Sequence, residues 1–276
     1  MKLQKFLLLT ILFLCAKVSS QSTASNQVST FMIEAPQLET QKKIWVYLPK
    51  SYSSSTKSFP VIYMHDAQNL FDAQTSFVGE WKVDEYLDSI DTNECIVIGI
   101  EHGNEKRIDE LTPFAHEKYG GGKGDQYLKF IIETLKPHID SNYRTLTNKE
   151  DTAIWGSSLG GLISLYAVFK YPETFGKAGI FSPAIWINKN KLIKFIQNSS
   201  FDSNKKFYFL VGSEEGSTME MASEMVSDQH EMVKLLLKKG VPVKNIIDKV
   251  IPNGKHNETL WSNNFPEAFQ WLNTKN

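Results

Sequence analysis

The stretch Thr152-Ala-Ile-Trp155-Gly156-Ser-Ser158-Leu-Gly160-Gly161-Leu-Ile-Ser-Leu-Tyr-Ala-Val-Phe169 decides the reading of this chain. A short apolar run leads into a small-residue turn, and a helical period comes after it. Gly156-x-Ser158-x-Gly160 at that junction is a nucleophile-elbow pattern. A serine on a sharp strand-to-helix turn sits in strained backbone, so the residues two before and two after it must lack bulk. The turn lifts Oγ above the sheet edge, and the helix beyond it aims its first amides at the reacting centre. Ser157 is excluded as the elbow serine because Trp155 stands two before it. The plainer alternative is a tight helix-start turn that needs small residues for packing alone.

Outward from that stretch, short runs rich in Val, Ile, Phe and Tyr recur and alternate with helical periods. The pattern predicts strands near 43–48, 59–65, 95–100, 152–155, 177–181, 206–211 and 246–251. It predicts helices near 82–90, 125–140, 159–170, 189–197, 219–239 and 258–272. Runs of this length, bounded by Gly, Pro or Asn, are typical of strands buried on both faces of a parallel sheet. Their alternation with helices implies right-handed crossovers and one α/β domain, residues 31–276.

Ahead of that domain, Lys2 and Lys5 precede an apolar run, Phe6 to Leu14, and Val18-Ser19-Ser20 offers small residues before Gln21. Residues 1–20 thus read as a cleavable signal peptide, placing the mature protein in the periplasm or outside the cell. The alternative is a lipoprotein anchored through Cys15, though Leu14 is large for the position before an acylated cysteine. Residues 21–30, rich in Ser, Thr, Gln and Asn, read as a disordered lead-in.

Over 276 residues, 41% are hydrophobic and 22% charged, with a net charge of −1. That balance supplies a core and no basic footprint for nucleic acid. No later segment has the length and apolarity of a membrane span. With Cys15 removed, Cys95 is left alone, and its apolar neighbours make it a buried small hydrophobe. No His/Cys spacing suggests a metal, and no cofactor is expected.

A serine at its ordinary pKa is a poor nucleophile and needs a base, which in turn needs a carboxylate to orient it. In this class of fold the order is serine, acid, histidine. His230 lies within a charged helical period, a solvated face by ordinary reading. His256 comes after the last predicted strand and the turn Pro252-Asn-Gly254, at the carboxyl edge where catalytic groups of open α/β sheets gather. The acid should come after the preceding strand, where Glu214 and Glu215 stand side by side, and Glu215 is favoured because the flexible Gly216 is next to it. For the oxyanion hole, the backbone N–H of Leu159 and that of Ala67 or Gln68 are the candidates. His65 and Asp66 read as shaping that loop rather than as a second dyad.

With these residues in place, the chain resembles an esterase family of α/β hydrolases. That family takes in carbohydrate-esterase-like feruloyl and acetyl-xylan esterases, siderophore esterases and mycolyltransferases. The likeness spans nearly all of the mature chain, through Val61–Asp72, Gly79–Asp84, Arg107–Pro113, Leu135–Thr145, the elbow, Phe181-Ser-Pro-Ala-Ile-Trp186 and Val211-Gly-Ser-Glu-Glu-Gly216. It implies the α/β-hydrolase fold, a Ser158–Glu215–His256 triad, and a small-molecule or carbohydrate ester as partner. It also implies that Trp81, Arg107 and Trp186 line the pocket, although by themselves these residues fit core packing or a surface charge equally well. One departure is Ala67, where the family commonly has glycine; a β-carbon there restricts the backbone of the oxyanion loop. Acyl transfer to an acceptor other than water, and a non-catalytic binding role on the same scaffold, are the competing functions.

Overall fold

The computed structural model describes residues 22–274. The proposed signal peptide and Cys15 lie outside them. Eight strands form one sheet: β1 (Val28–Ala35), β2 (Thr40–Tyr47), β3 (Val61–His65), β4 (Ile96–Ile100), β5 (Thr152–Ser157), β6 (Lys177–Phe181), β7 (Lys206–Gly212) and β8 (Ile246–Ile251), in the order β1-β2-β4-β3-β5-β6-β7-β8. The β1–β2 and β2–β4 pairs are antiparallel, and every pair from β4 to β8 is parallel.

The inner strands divide their side chains between two cores with a period of two. Val61, Tyr63, Ile154, Phe207 and Phe209 face one core, while Ile62, Met64, Trp155, Tyr208 and Leu210 face the other. Helices α1 (Val83–Asp88) and α8 (Glu258–Asn273) cover the second face. The first is covered by α2 (Arg107–Leu111), α3 (Gly124–Lys129), α4 (Lys136–Asn142), α5 (Leu159–Lys170), α6 (Lys189–Asn198) and α7 (Met219–Lys238). This is an α/β-hydrolase sheet with helices on both faces.

Three local differences from the sequence reading have physical causes. The helix expected over 125–140 is α3 and α4 joined by a π-helical turn, Phe130–Leu135. The turn ends just before Pro137, which has no N–H to continue the regular ladder. The expected disordered lead-in is corrected over residues 22–30. Val28–Thr30 begin β1, an edge strand whose outer face needs no apolar residues, and Phe31 and Ile33 pack on the core. Ahead of it, the Ser25 N–H donates to Asp84 Oδ2 at 2.7 Å, and Ser22 Oγ donates to Asp72 Oδ2 at 2.5 Å. Finally β8, at the other edge, is only half buried. Cys95 is buried and unbridged, and burial pushes its thiol pKa up.

Candidate active site

The elbow is built from close approaches. Ser158 has φ 56° and ψ −120°, a conformation L-residues rarely hold. Its N–H donates to Phe181 O at 2.9 Å, and its carbonyl accepts from Leu162 N at 3.1 Å and Ala184 N at 3.0 Å. A β-carbon at Gly156 would lie 2.8 Å from the Gly160 backbone and 2.9 Å from the His65 ring; one at Gly160 would lie 3.2 Å from His65 Cβ. The two glycines therefore let His65 wedge beneath the turn.

His65 is buried, and its Nδ1 lies 2.7 Å from Tyr127 Oη, while Nε2 has no partner among the described residues. Burial lowers its pKa to about 4, with Asp66 opposing and Arg107 adding to the shift. It stays neutral near pH 7 and holds the turn in place. Asp66 takes the left-handed conformation (φ 58°) and accepts a two-pronged contact from Arg107, Nε to Oδ1 at 2.7 Å and Nη2 to Oδ2 at 2.8 Å. Burial opposes its ionisation, but Arg107 outweighs that and holds the Asp66 carboxyl below its usual pKa.

This turn accommodates the Ala67 methyl without strain. The positive φ falls on Asp66, not Ala67, and the Ala67 methyl occupies space left by Gly99, where a β-carbon would come within 2.9 Å of it. Ala67 and Gln68 open a single 3-10 turn, Ala67–Asn69, and Leu159 opens α5. Amides in such first turns have no partner within their own helix. Gln68 is fixed by a paired contact with the His102 peptide, both bonds 3.3 Å.

The acid and the histidine meet across the next two loops. Glu215, with no solvent exposure, accepts from His256 Nδ1 on Oε2 at 2.8 Å. Its Oε1 accepts from Gly212 N at 2.6 Å and Ser182 Oγ at 2.5 Å. Glu214 is exposed and contributes only its N–H, to Gly254 O at 2.9 Å. The carboxylate on Nδ1 leaves Nε2 of His256 as the free nitrogen. Ser158 and His256 both line one cleft of about 620 Å³. Among the described residues the Ser158 hydroxyl makes no hydrogen bond; catalytic contacts of this kind commonly tighten only when substrate is bound.

Of the three expected pocket residues, Arg107 lines the cleft and two do not. Trp81 is 3% exposed and packs under the site against Phe181, Trp261 and Phe265, so its size serves the core. Trp186 is 40% exposed and stands edge-on to Tyr119, away from the cleft. The walls instead include Asn69, Phe77, Val78, His102, Glu258 and Trp261, which the sequence reading did not single out. Phe77 and Val78 are exposed apolar residues on the rim. Glu258 opens α8 and accepts from Asn69 Nδ2 at 3.2 Å, and burial raises its pKa.

A larger cleft, about 730 Å³, lies at the amino-terminal end of the parallel strands, and no histidine is among its lining residues. Among the described residues one cluster, Glu80, Asp84 and Glu85, gathers three carboxylates close enough for a metal ion, on α1 and the turn before it. Burial, opposed by the Ser25 N–H and reinforced by Glu85, raises Asp84 to about 8. A proton retained on Asp84 near pH 7 removes one of the three negative charges of this cluster.

Residues 35–272 match the family model described as "Putative esterase". The chain belongs to this esterase family. It is a carboxylic ester hydrolase by that membership, as was expected from the resemblance. Among curated relatives, the uncharacterized protein YbbA of Bacillus subtilis (strain 168) is 29% identical over 242 residues, covering 85% of this chain and 94% of the relative. Ferri-bacillibactin esterase BesA of the same organism is 29% identical over 155 residues, 49% of this chain and 51% of BesA. The match thus spans about half of that enzyme. Two solved structures share the fold. An IroE-like serine hydrolase from Shewanella oneidensis has TM-score 0.70 and 17% identity, over 88% of this chain and 79% of that one. Siderophore hydrolase EstA from Aspergillus nidulans has TM-score 0.67 and 21% identity, over 90% and 94%.

Proposed function

We propose that this protein is an exported serine esterase that cleaves carbohydrate- or siderophore-type esters through an acyl-enzyme on Ser158. The observation that carries this reading is the buried Glu215 carboxylate on His256 Nδ1, 2.8 Å away, in the cleft into which the strained Ser158 turn opens. Ser158 Oγ attacks the ester carbonyl while His256 Nε2 takes its proton. The N–H groups of Leu159 and of Ala67 or Gln68 donate to the developing oxyanion. His256 then gives the proton to the leaving alcohol. Water, deprotonated by the same imidazole, attacks the acyl-enzyme and releases the acid.

Export is supported by the basic, apolar and small-residue pattern of residues 1–20. No helix among the described residues is long and apolar enough to cross a membrane. The substrate class is supported by relatives named for ferri-bacillibactin, triacetylfusarinine C and feruloyl esters. A cleft lined by the apolar Phe77 and Val78 and by the polar His102, Asn104 and Arg107 suits an ester with a flat or apolar acyl part and a polyoxygenated remainder.

Residues 21–276 are expected to release p-nitrophenol from its acetate and butyrate, with Ser158→Ala reducing kcat by about 10³-fold or more. A fluorophosphonate should label the wild type and not the variant. Full turnover by Ser158→Ala would sink the reading. Comparing kcat/KM for acylated sugars against siderophore esters then chooses the substrate, and product partitioning with added alcohol separates hydrolysis from acyl transfer.

A further inference from the structure

Two residues that take no direct part in the acyl-transfer steps converge on the acid–histidine pair. Trp261, on the first turn of α8, donates its indole N–H to Ser182 Oγ at 2.8 Å. Ser182, just past β6, donates its hydroxyl to Glu215 Oε1 at 2.5 Å. The Trp261 ring also stands perpendicular to the His256 imidazole, with centroids 5.1 Å apart and an 87° interplanar angle. Trp261 therefore reaches the triad at both ends, through Ser182 to the acid and through its ring to the base.

Donor chemistry fixes the direction of this chain of hydrogen bonds. An indole N–H only donates, so it occupies a lone pair of Ser182 Oγ. The hydroxyl proton must then point elsewhere, and Glu215 Oε1 at 2.5 Å is the acceptor. With Gly212 N–H also on Oε1, that oxygen is committed, and Oε2 is left to His256. Two donors on one side of a fully buried carboxylate fix its plane.

The backbone at Ser182 supports a role for the hydroxyl. Ser182 is fully buried with φ 44°, in the left-handed region where glycine would be unstrained, and its N–H donates to Leu210 O at 2.6 Å. Conformation alone favours glycine at this position. The side chain is what serine adds.

We propose that Ser182 and Trp261 are a positioning pair that orients Glu215, and through it His256, for proton transfer from Ser158. The proposal rests on the serine–histidine–glutamate reading. It goes further by making catalytic geometry depend on one hydroxyl and one indole N–H outside the triad.

The test is steady-state hydrolysis of p-nitrophenyl butyrate across pH, with Ser182→Gly, Trp261→Phe and the double variant. Ser182→Gly relieves the backbone strain but leaves the Trp261 N–H unpaired and Glu215 Oε1 short of one donor, so Tm is recorded beside kcat, which should fall roughly 10- to 100-fold with little change in KM. Trp261→Phe keeps a ring against His256 and loses the N–H, so kcat should fall about 3- to 10-fold. The double variant should be no slower than Ser182→Gly alone, since both act through one link. The pH profile of kcat/KM should also change in Ser182→Gly, because the carboxylate that orients the imidazole has lost one donor. Unchanged kcat with superimposable pH profiles in both single variants would overturn the proposal. If Ser182→Gly does not fold, Trp261→Phe decides alone by the same criterion. Ser158→Ala, run beside them, separates the two ideas. Its inactivity with fully active positioning variants sinks only the pair, whereas its full activity sinks the triad.

Discussion

At Ser158 and Ser182 the chain holds non-glycine residues at positive φ, 56° and 44°, one at the end of each of two neighbouring strands, β5 and β6. Strain of this kind costs of order 1–3 kcal/mol per residue and persists only where surrounding structure enforces it. At Ser158 the enforcing residue is His65, seated in the space left by Gly156 and Gly160. Its folded pKa of about 4 lies below the unfolded value, so the unfolded chain binds more protons between those two values. The stability this contributes is complete above about pH 6.5 and is lost as pH falls through 4, an amount near 3 kcal/mol at about 1.4 kcal/mol per unit. His65→Gln should therefore flatten the pH 4–6.5 part of the urea-denaturation profile relative to wild type. Parallel profiles would show that His65 is not the group responsible.

Between elements, the decisive junction is the pair of loops after β7 and β8. The parallel ladder continues past the strand ends through Ser213 N to Ile251 O at 2.9 Å and Glu214 N to Gly254 O at 2.9 Å. Gly212 and Gly254 touch there, and a β-carbon at Gly212 would sit 2.2 Å from Gly254 O. This zipper carries Glu215 on one side and His256 on the other. Asn257 then caps α8 by accepting from Leu260 N at 3.1 Å, which pins the residue next to His256. Gly212→Ala must push the loops apart, and a displacement near 1 Å between catalytic groups can cost about 100-fold in rate. The expected result is a loss of kcat of that order with far-ultraviolet circular dichroism unchanged. Retention of wild-type kcat would show that the loops accommodate the methyl without moving the triad.

Across the whole molecule, chain order and hydrophobic periodicity were the legible part of the sequence. The buried strands announced themselves as unbroken apolar runs, and Ser158, Glu215 and His256 each come after a strand in the required order. Edge strand β1 was hidden because only one of its faces needs apolar residues. Ser182 comes after a strand just as Glu215 does, but a lone serine carries no charge to mark it. Trp81 and Trp186 show the converse, since tryptophan's size does not say whether it lines a pocket or fills a core. Charge pairs buried across distant segments are the least legible of all. Lys42, on β2, donates to both carboxylate oxygens of Glu110, on α2, at 2.6 Å, with each side chain 3% exposed. Glu110 also accepts from Gly103 N at 2.9 Å. The pair thereby ties the antiparallel edge of the sheet to the segment that carries His102 and Arg107 into the cleft. Removing one partner leaves a buried charge uncompensated, which costs about 3–5 kcal/mol, whereas replacing both with apolar residues often costs little. Lys42→Met should therefore lower the unfolding free energy by that amount and raise KM as the Arg107 wall shifts. Lys42→Met with Glu110→Leu should recover most of the stability, less the bond to Gly103. A single variant as stable as wild type in urea would show that the two charges are not held apart from water, and that the cleft wall is anchored elsewhere.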